Sequence, residues 1–210
     1  MPDPDCPYVS RGGLKLAAAL DAFDLDPRNL DCADLGCSTG GFTDCLIQRH
    51  ARHVYSVDTA YGQFAWKLRQ HPDVTTLERT NALHFDPQTQ LADFAGCDLV
   101  VLDLGWTRQS RALPAAMQWL KHSPDARIIT LIKPHYEATD LALSGTSRAS
   151  KGPRRGQLTD TQADEVTQTL LATLPQQLGL EPIHHIRSPI RGGKAGNREH
   201  LALLAVHTRR

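Results

Sequence analysis

A glycine-rich turn is the stretch that most constrains how this chain can fold. It joins a short apolar run to a helical pattern and reads Asp34-Leu35-Gly36-Cys37-Ser38-Thr39-Gly40-Gly41-Phe42. Glycine adopts backbone conformations that other residues avoid, so the chain can turn tightly here and come close to a bound molecule. The first backbone N–H groups of the helix that follows have no partner within the helix and point outward. The stretch therefore predicts a strand, a tight turn and a helix in succession.

The spacing of these glycines also bears on a ligand. An Asp-x-Gly-x-x-x-Gly turn is typical of sites for S-adenosylmethionine (SAM), and it differs from the G-x-G-x-x-G fingerprint of dinucleotide sites. The alternative interpretation is a strand-to-helix turn that binds no ligand. The turn alone favours SAM and leaves both interpretations open.

Length, charge and cysteine content narrow the class of protein. We expect residues 10–210 to form a single domain after a flexible, proline- and aspartate-rich segment, 1–9. Lysine plus arginine and aspartate plus glutamate both total 23, so the net charge indicates no polyanionic partner. The five cysteines include no Cys-x-x-Cys pair, which predicts neither disulfides nor a metal site. The lack of a leader or a long apolar span predicts a soluble, cytoplasmic protein without membrane contact.

Short apolar runs alternate with helical patterns through the first two thirds of the chain. The β-like runs are 32–36, 53–57, 74–77, 98–102 and 128–132. Helical patterns are predicted from Ser10, as a helix cap, and over 42–49 and 113–121. Cys32, Cys37 and Cys97 fall in or beside strands and are predicted to be buried. Alternation of this kind favours parallel βαβ units.

The last third of the chain ends in a pair of strands. The longest helical pattern covers 159–178, with Thr159 or Thr161 as its cap, and strands are predicted over 182–186 and 201–207. This outline is typical of SAM-dependent methyltransferases. We therefore predict a Rossmann-like α/β fold with a mostly parallel seven-stranded sheet, helices on both faces and an antiparallel C-terminal strand. The irregular segment 139–156 is either functional or a plain connection.

Polar residues stand where predicted strands end, the edge at which open α/β sheets bind ligands. Asp58 is placed to accept hydrogen bonds from ribose hydroxyls, or else it simply starts a helix. Asn81 is placed near an adenine, or it is a turn residue. Asp103 and Lys133 close neighbouring strands, so we expect them to flank the same crevice. Their alternative role is a structural ion pair at the rim of the sheet.

Six segments resemble, in order, the TlyA/FtsJ-like RNA 2′-O-methyltransferases. The segments are 8–16, 36–46, 61–69, 78–81, 133–137 and 188–201, and the resemblance runs from about Tyr8 to about Leu204. It implies SAM as the cofactor, held by Gly36, Ser38, Thr39, Gly40, Gly41 and Phe42 at the methionine end, Asp58 at the ribose and Asn81 near the adenine. Asp34, which opens the turn, is counted with these candidates.

The resemblance also implies a catalytic tetrad, Lys-Asp-Lys-Glu, at positions Lys15, Asp103, Lys133 and Glu199. Lys133 would take the proton from a ribose 2′-hydroxyl while its oxygen attacks the methyl carbon of SAM. Asp103 would orient both groups, and the other two residues would complete the hydrogen-bonded frame. No metal is required.

Departures from the family concern how RNA would be recognised. TlyA-type relatives carry a small RNA-binding domain before the catalytic one, whereas this chain starts almost at the catalytic domain, so we expect recognition by this domain or by an accessory partner. Trp106 departs from the family pattern and either stacks on a base or packs internally. Basic residues that would contact RNA are Arg11, Arg148, Lys151, Arg154, Arg155, Arg187, Arg191, Lys194 and Arg198. Their alternative role is ordinary solvated loop charge.

The function predicted from these features is SAM-dependent methylation of a ribose 2′-hydroxyl in RNA, with ribosomal RNA as the expected target. One alternative is a methyltransferase of small molecules or proteins on the same scaffold, because a fold alone does not fix the substrate. Another is a non-catalytic RNA-binding factor with a vestigial SAM site. The intact glycines and tetrad positions disfavour both alternatives.

Overall fold

A single mixed sheet forms the centre of the molecule. The computed structural model describes residues 6–138, 158–192 and 196–206. Among these residues the strands are β1 (Asp31–Leu35), β2 (His53–Val57), β3 (Val74–Leu77), β4 (Leu99–Leu102), β5 (Arg127–Ile132), β6 (Leu180–Arg187) and β7 (His200–Val206). They lie in the order β3-β2-β1-β4-β5-β7-β6, with β7 antiparallel to both of its neighbours. The predicted sheet of seven mostly parallel strands is confirmed.

Helices cover both faces of this sheet. Over the same described residues they are α1 (Gly12–Ala22), α2 (Gly41–Gln48), α3 (Trp66–Arg69), α4 (Pro87–Gln90), α5 (Gln109–Met117), α6 (Pro134–Glu137) and α7 (Asp160–Gln177). One apolar core joins the sheet to α1 and α2, and another joins it to α5 and α7. Strand β4 contributes side chains to both cores: Leu99 and Val101 belong to the first, whereas Val100 and Leu102 belong to the second. Alternate side chains of a strand point to opposite faces, so a continuous apolar run suits a sheet covered on both sides.

Two local predictions about helices are wrong. Ser10 does not cap α1: the capping position is Arg11, no side chain caps the helix, and Gly13 N–H is bonded to the Ser10 carbonyl instead of its hydroxyl. The helix predicted over 113–121 ends early, at Met117, because Leu120 leaves it to form a β-bridge with Cys97. This contact with a residue 23 positions earlier in the chain therefore ends the helix before its periodic pattern does.

Other local predictions are confirmed. Thr159 caps α7 in a capping box with Gln162, in which each side chain bonds the other residue's backbone N–H. The three cysteines predicted to be buried, Cys32, Cys37 and Cys97, are buried. No helix in the described part of the chain is long and apolar enough to span a membrane.

Candidate active site

The turn after β1 has the backbone shape that its glycines suggested. Gly36 has a φ of 90° and Gly40 a φ of 100°, values in the left-handed region that side chains rarely allow. A Cβ on Gly36 would also lie 2.6 Å from the carbonyl oxygen of Asp103 at the end of β4. The turn is therefore pressed against the neighbouring strand end, which keeps β1 and β4 close where the strand order reverses direction. Ligands of open α/β sheets bind at this switch point.

A buried polar network braces the turn from below. Asp34 Oδ2 accepts hydrogen bonds from the backbone N–H and the hydroxyl of Thr43, at 2.9 and 2.7 Å. The Thr43 hydroxyl also contacts the Ser56 hydroxyl at 2.8 Å, and all three side chains are fully buried. Burial raises the pKa of Asp34 to about 7, opposed by the Thr43 hydrogen bonds and aided by the charges of Asp103 and Asp58. Asp34 therefore lies beneath the turn rather than at its surface.

A first cleft of about 270 Å³ opens above the turn. Residues of the turn that line it are Gly36, Cys37, Ser38, Thr39, Gly41 and Phe42. The facing wall comes from the start of α1, with Ser10, Arg11 and Lys15, and from Arg191 in the β6–β7 connection. Sequence reasoning did not identify Ser10 as a cleft residue; its only signal was its place within the matched segment 8–16.

A second cleft of about 480 Å³ adjoins the first, and Gly36, Ser38 and Asp103 line both. It holds Asp58 and Asn81, the two positions predicted for the ribose and the adenine. Asp58 accepts the N–H of Ser38 at 2.7 Å and the N–H of Ala60 at 2.8 Å, which ties the ends of β1 and β2 together. Asn81 Oδ1 accepts the N–H of Leu83, as in an Asx turn.

The four tetrad positions form two ion pairs. Lys15 Nζ lies 2.6 Å from Glu199 Oε2, and both side chains are buried. Lys133 Nζ lies 2.5 Å from Asp103 Oδ1 and also donates to the carbonyl of Leu104 at 3.1 Å. Lys15 and Asp103 line the first cleft, and Asp103 and Lys133 line the second. The lysine of each pair therefore lines one of the two adjoining clefts, and Asp103 lines both.

Aromatic residues flank the second cleft. Trp106 lines it and is 88% exposed, with its ring stacked on Tyr136 at a centroid distance of 5.4 Å. Its φ of 57° lies in the left-handed region, which is uncommon for a bulky residue. Internal packing, one of the two roles predicted for Trp106, does not describe so exposed a ring. Tyr136 had no signal in the sequence beyond its place after Lys133.

The predicted RNA-binding arginines fall into two groups. Arg11 lines the first cleft. The side chains of Arg187, Arg191 and Arg198 contact acidic residues of α7: Arg187 pairs with Asp164, and the other two pair with Asp160, although Arg191 also lines the first cleft. Part of their charge is therefore balanced within the protein. The remaining predicted contacts, Arg148, Lys151, Arg154, Arg155 and Lys194, lie outside the described residues, as does the segment 139–156.

Known proteins share both the sequence and the architecture. The family model for FtsJ-like methyltransferases matches residues 8–204. The 16S/23S rRNA (cytidine-2′-O)-methyltransferase TlyA of Mycobacterium tuberculosis is 38% identical over 208 residues, which cover 99% of this chain and 72% of that longer protein. Hemolysin A of Brachyspira hyodysenteriae is 31% identical over 201 residues, which cover 95% of this chain and 77% of the relative.

Solved structures of other proteins share the fold of this chain. A structure from Streptococcus thermophilus superposes with a TM-score of 0.81 at 32% identity, covering 96% of this chain and 68% of that chain. Solved proteins of lower identity, among them SAM-dependent methyltransferases, share the Rossmann-like fold. With the glycine turn, the strand order and a family match over nearly the whole length, the chain belongs to the FtsJ-like methyltransferase family.

Proposed function

We propose that this protein is a cytoplasmic, SAM-dependent methyltransferase that acts on a ribose 2′-hydroxyl of RNA, with ribosomal RNA as its target. One observation carries the proposal: the lysines of two lysine–carboxylate pairs line two adjoining clefts beside a glycine turn. SAM binding alone would need the turn and the strand-end acid but not two ion pairs. The rRNA substrate named for the TlyA relative supports RNA as the acceptor.

The residues of the two clefts fit SAM. Gly36, Gly41 and Phe42 line the first cleft, and Gly41 and Phe42 are the first two residues of α2. We assign the backbone N–H groups of these two residues to the carboxylate at the methionine end, since the N–H of the next residue, Thr43, is already donated to Asp34. Asp58 retains acceptor capacity for ribose hydroxyls, since each of its oxygens receives one hydrogen bond within the protein. We assign the methionine end to the first cleft and the nucleoside to the second.

The tetrad supplies proton transfer and orientation. When bound, SAM provides a methyl group on a positively charged sulfur. Lys133 is assigned as the base that takes the proton of the 2′-hydroxyl, while Asp103 and the Leu104 carbonyl fix the position of its Nζ. Lys15, held by Glu199, faces the developing negative charge on the attacking oxygen. Holding the oxygen, methyl group and sulfur in line contributes roughly 7–11 kcal/mol in well-oriented reactions of this kind.

Recognition of the target nucleotide falls to groups around the mouths of the clefts. We propose that the exposed Trp106 ring, supported by Tyr136, stacks on an unpaired base beside Lys133. Arg11 is placed to contact a phosphate at the first cleft. The basic residues outside the described part of the chain, and an accessory RNA-binding partner, remain part of this proposal.

Replacing Lys133 tests the assignment. Lys133→Ala should reduce methyl transfer to RNA by at least about a hundredfold, the scale of losing a general base, while the Kd for SAM changes little. Transfer of tritiated methyl groups to total RNA, intact ribosomal subunits and free nucleosides measures the first quantity, and calorimetry measures the second. Lys121→Ala is the matched control, because Lys121 is also ion-paired but lies at the opposite end of the strands, beside Asp31 and Asp98.

The product identifies the reaction class. Nucleoside mass spectrometry should detect 2′-O-methylribose in wild-type reactions. Transfer only to small molecules or protein would contradict the proposal in favour of another acceptor. SAM binding without any transfer, even in the presence of cell extract, would indicate a vestigial site. Loss of SAM binding in Lys133→Ala would make Lys133 structural.

A further inference from the structure

We propose that Asp160, the first residue of α7, is a positioning residue for the Lys15–Glu199 pair and that it acts through Arg198. The inference rests on the proposed function, since it treats Glu199 as part of the catalytic frame. It concerns residues that the sequence had assigned to RNA contacts. The geometry instead connects two of those arginines to the helix behind them.

Asp160 joins two arginines of the β6–β7 connection. Its Oδ2 accepts Arg198 Nη2 at 2.6 Å and Arg191 Nη2 at 2.8 Å. One turn further along α7, Asp164 pairs with Arg187 at the end of β6. These five residues are called the α7 clamp below. The start of α7 is itself fixed by its capping box, so the clamp attaches the connection to a defined point.

The connection held by the clamp carries Glu199. Ser188 N–H donates to the Glu199 carbonyl at 2.8 Å, and Gly192 pairs with Asn197 across the loop. Gly192 also packs directly against the carboxylate of Glu199: a Cβ there would lie 1.9 Å from Oε1. Moving this loop therefore moves the carboxylate that holds Lys15 Nζ at 2.6 Å.

Arg198 is the member of the clamp that depends most on Asp160. Its side chain is 18% exposed, and its Nε is buried without a hydrogen-bond partner within the described residues. Asp160 is the acid to which it is paired in that part of the chain. A guanidinium this enclosed must move toward solvent once its carboxylate is lost, because an unpaired buried charge is costly. Arg198 directly precedes Glu199, so its movement displaces the neighbouring backbone.

The charge state of the clamp supports a fixed arrangement. Hydrogen bonds from Arg198 and then Arg191 lower the pKa of Asp160 to about 2, so the carboxylate is ionised wherever the protein is folded near neutral pH. The side chains of Arg191 and Asp160 are 48% and 39% exposed, and an ion pair this exposed contributes little to the free energy of unfolding, while the enclosed Arg198 avoids the cost of an unpaired charge by moving toward solvent. Loss of Asp160 should therefore affect the placement of the loop more than the stability of the fold.

The test compares a variant that removes the negative charge of Asp160 with variants that keep this charge, remove another acid of α7 or remove Arg198. Asp160→Asn should lower kcat for methyl transfer to RNA by about ten- to a hundredfold, as expected when a reacting group is displaced by a fraction of an ångström to one ångström. The KM for SAM should stay within about twofold, and Asp160→Glu should restore part of kcat. Glu165→Gln, an exposed acid of the same helix, is the matched control and should behave as wild type. Arg198→Met breaks the same Asp160–Arg198 ion pair by removing the arginine, and it should reproduce the loss of kcat.

A second measurement does not depend on activity. Acetic anhydride labelling, quantified by mass spectrometry, should modify Lys15 several-fold faster in Asp160→Asn and Arg198→Met than in wild type. Lys121, in the ion-pair network at the far end of the sheet, is the internal reference and should not change. If wild type methylates no RNA, the proposed function fails, yet the labelling result still decides whether the clamp positions Lys15.

Three outcomes would overturn the inference. Unchanged Lys15 labelling in both variants would show that the clamp does not hold the pair. A kcat for Asp160→Asn equal to that of Glu165→Gln would show that methyl transfer does not depend on how Asp160 positions the Lys15–Glu199 pair. Tighter RNA binding with a steeper salt dependence and an unchanged kcat would show that Asp160 merely masks phosphate-binding arginines.

Discussion

At the scale of single residues, the structure puts an ionisable group where water does not reach. Asp34 is fully buried, one of its oxygens has no hydrogen-bond partner among the described residues, and its pKa is raised to about 7. A carboxyl whose pKa is higher in the folded than in the unfolded chain contributes stability below its unfolded value. That contribution is lost as the pH rises through the folded value.

Asp34→Asn should remove this pH dependence. Relative to the variant, wild type should lose stability from about pH 4 to about pH 7, by at most about 1.4 kcal/mol per pH unit. Urea unfolding at several pH values measures the difference, with the exposed Asp125→Asn as control. A difference that does not vary with pH would mean that Asp34 titrates normally.

At the scale of elements, the contribution of the α7 cap to stability can be tested independently of the α7 clamp. Thr159→Ala removes one side-chain acceptor from the capping box and should lower the free energy of unfolding by about 1 kcal/mol. Thermal or urea unfolding measures the loss, and Thr169→Ala, a mid-helix threonine whose hydroxyl bonds the Glu165 carbonyl, is the control. An effect no larger than that of the control would contradict the assignment of the cap. A simultaneous fall in methyl transfer would link the start of α7 to the α7 clamp.

Elements were predictable where one local pattern dominates. The β-like runs that form β2 and β3 have the bounds expected from the sequence, because a charged residue stands directly before and after each of them. The helix expected over 113–121 was wrong at its end because a tertiary contact, the bridge between Leu120 and Cys97, replaced its last turn. Helical periodicity contains no information on such a contact.

At the scale of the whole molecule, cofactor binding should stabilise the fold. The clefts are built from the ends of several strands and the start of α1, so a ligand there joins parts of the sheet that are distant in sequence. SAM at about one hundred times its Kd should add about 2.7 kcal/mol. For a protein of this size that corresponds to a rise in Tm of roughly 5–10 °C. Calorimetry with SAM, and with ATP as a nucleotide control, measures the shift; no rise with SAM would contradict the cofactor assignment.

The sequence by itself determined the order of the strands and of the four longer helices, the glycine turn and the acids at strand ends, since these follow from local periodicity and residue type, whereas the short helices α3, α4 and α6 were not predicted. The resemblance named the tetrad positions, and the strand ends predicted that Asp103 and Lys133 lie together, but no local pattern paired Lys15 with Glu199. Only the tertiary structure decided that Lys15 pairs with Glu199, 184 residues away, and that Asp160 holds Arg191 and Arg198. The physical reason is that β7 lies between β5 and β6 in the sheet, which brings the β6–β7 connection next to α1 and α7. Sheet order and packing set this placement, and no local pattern in the sequence does.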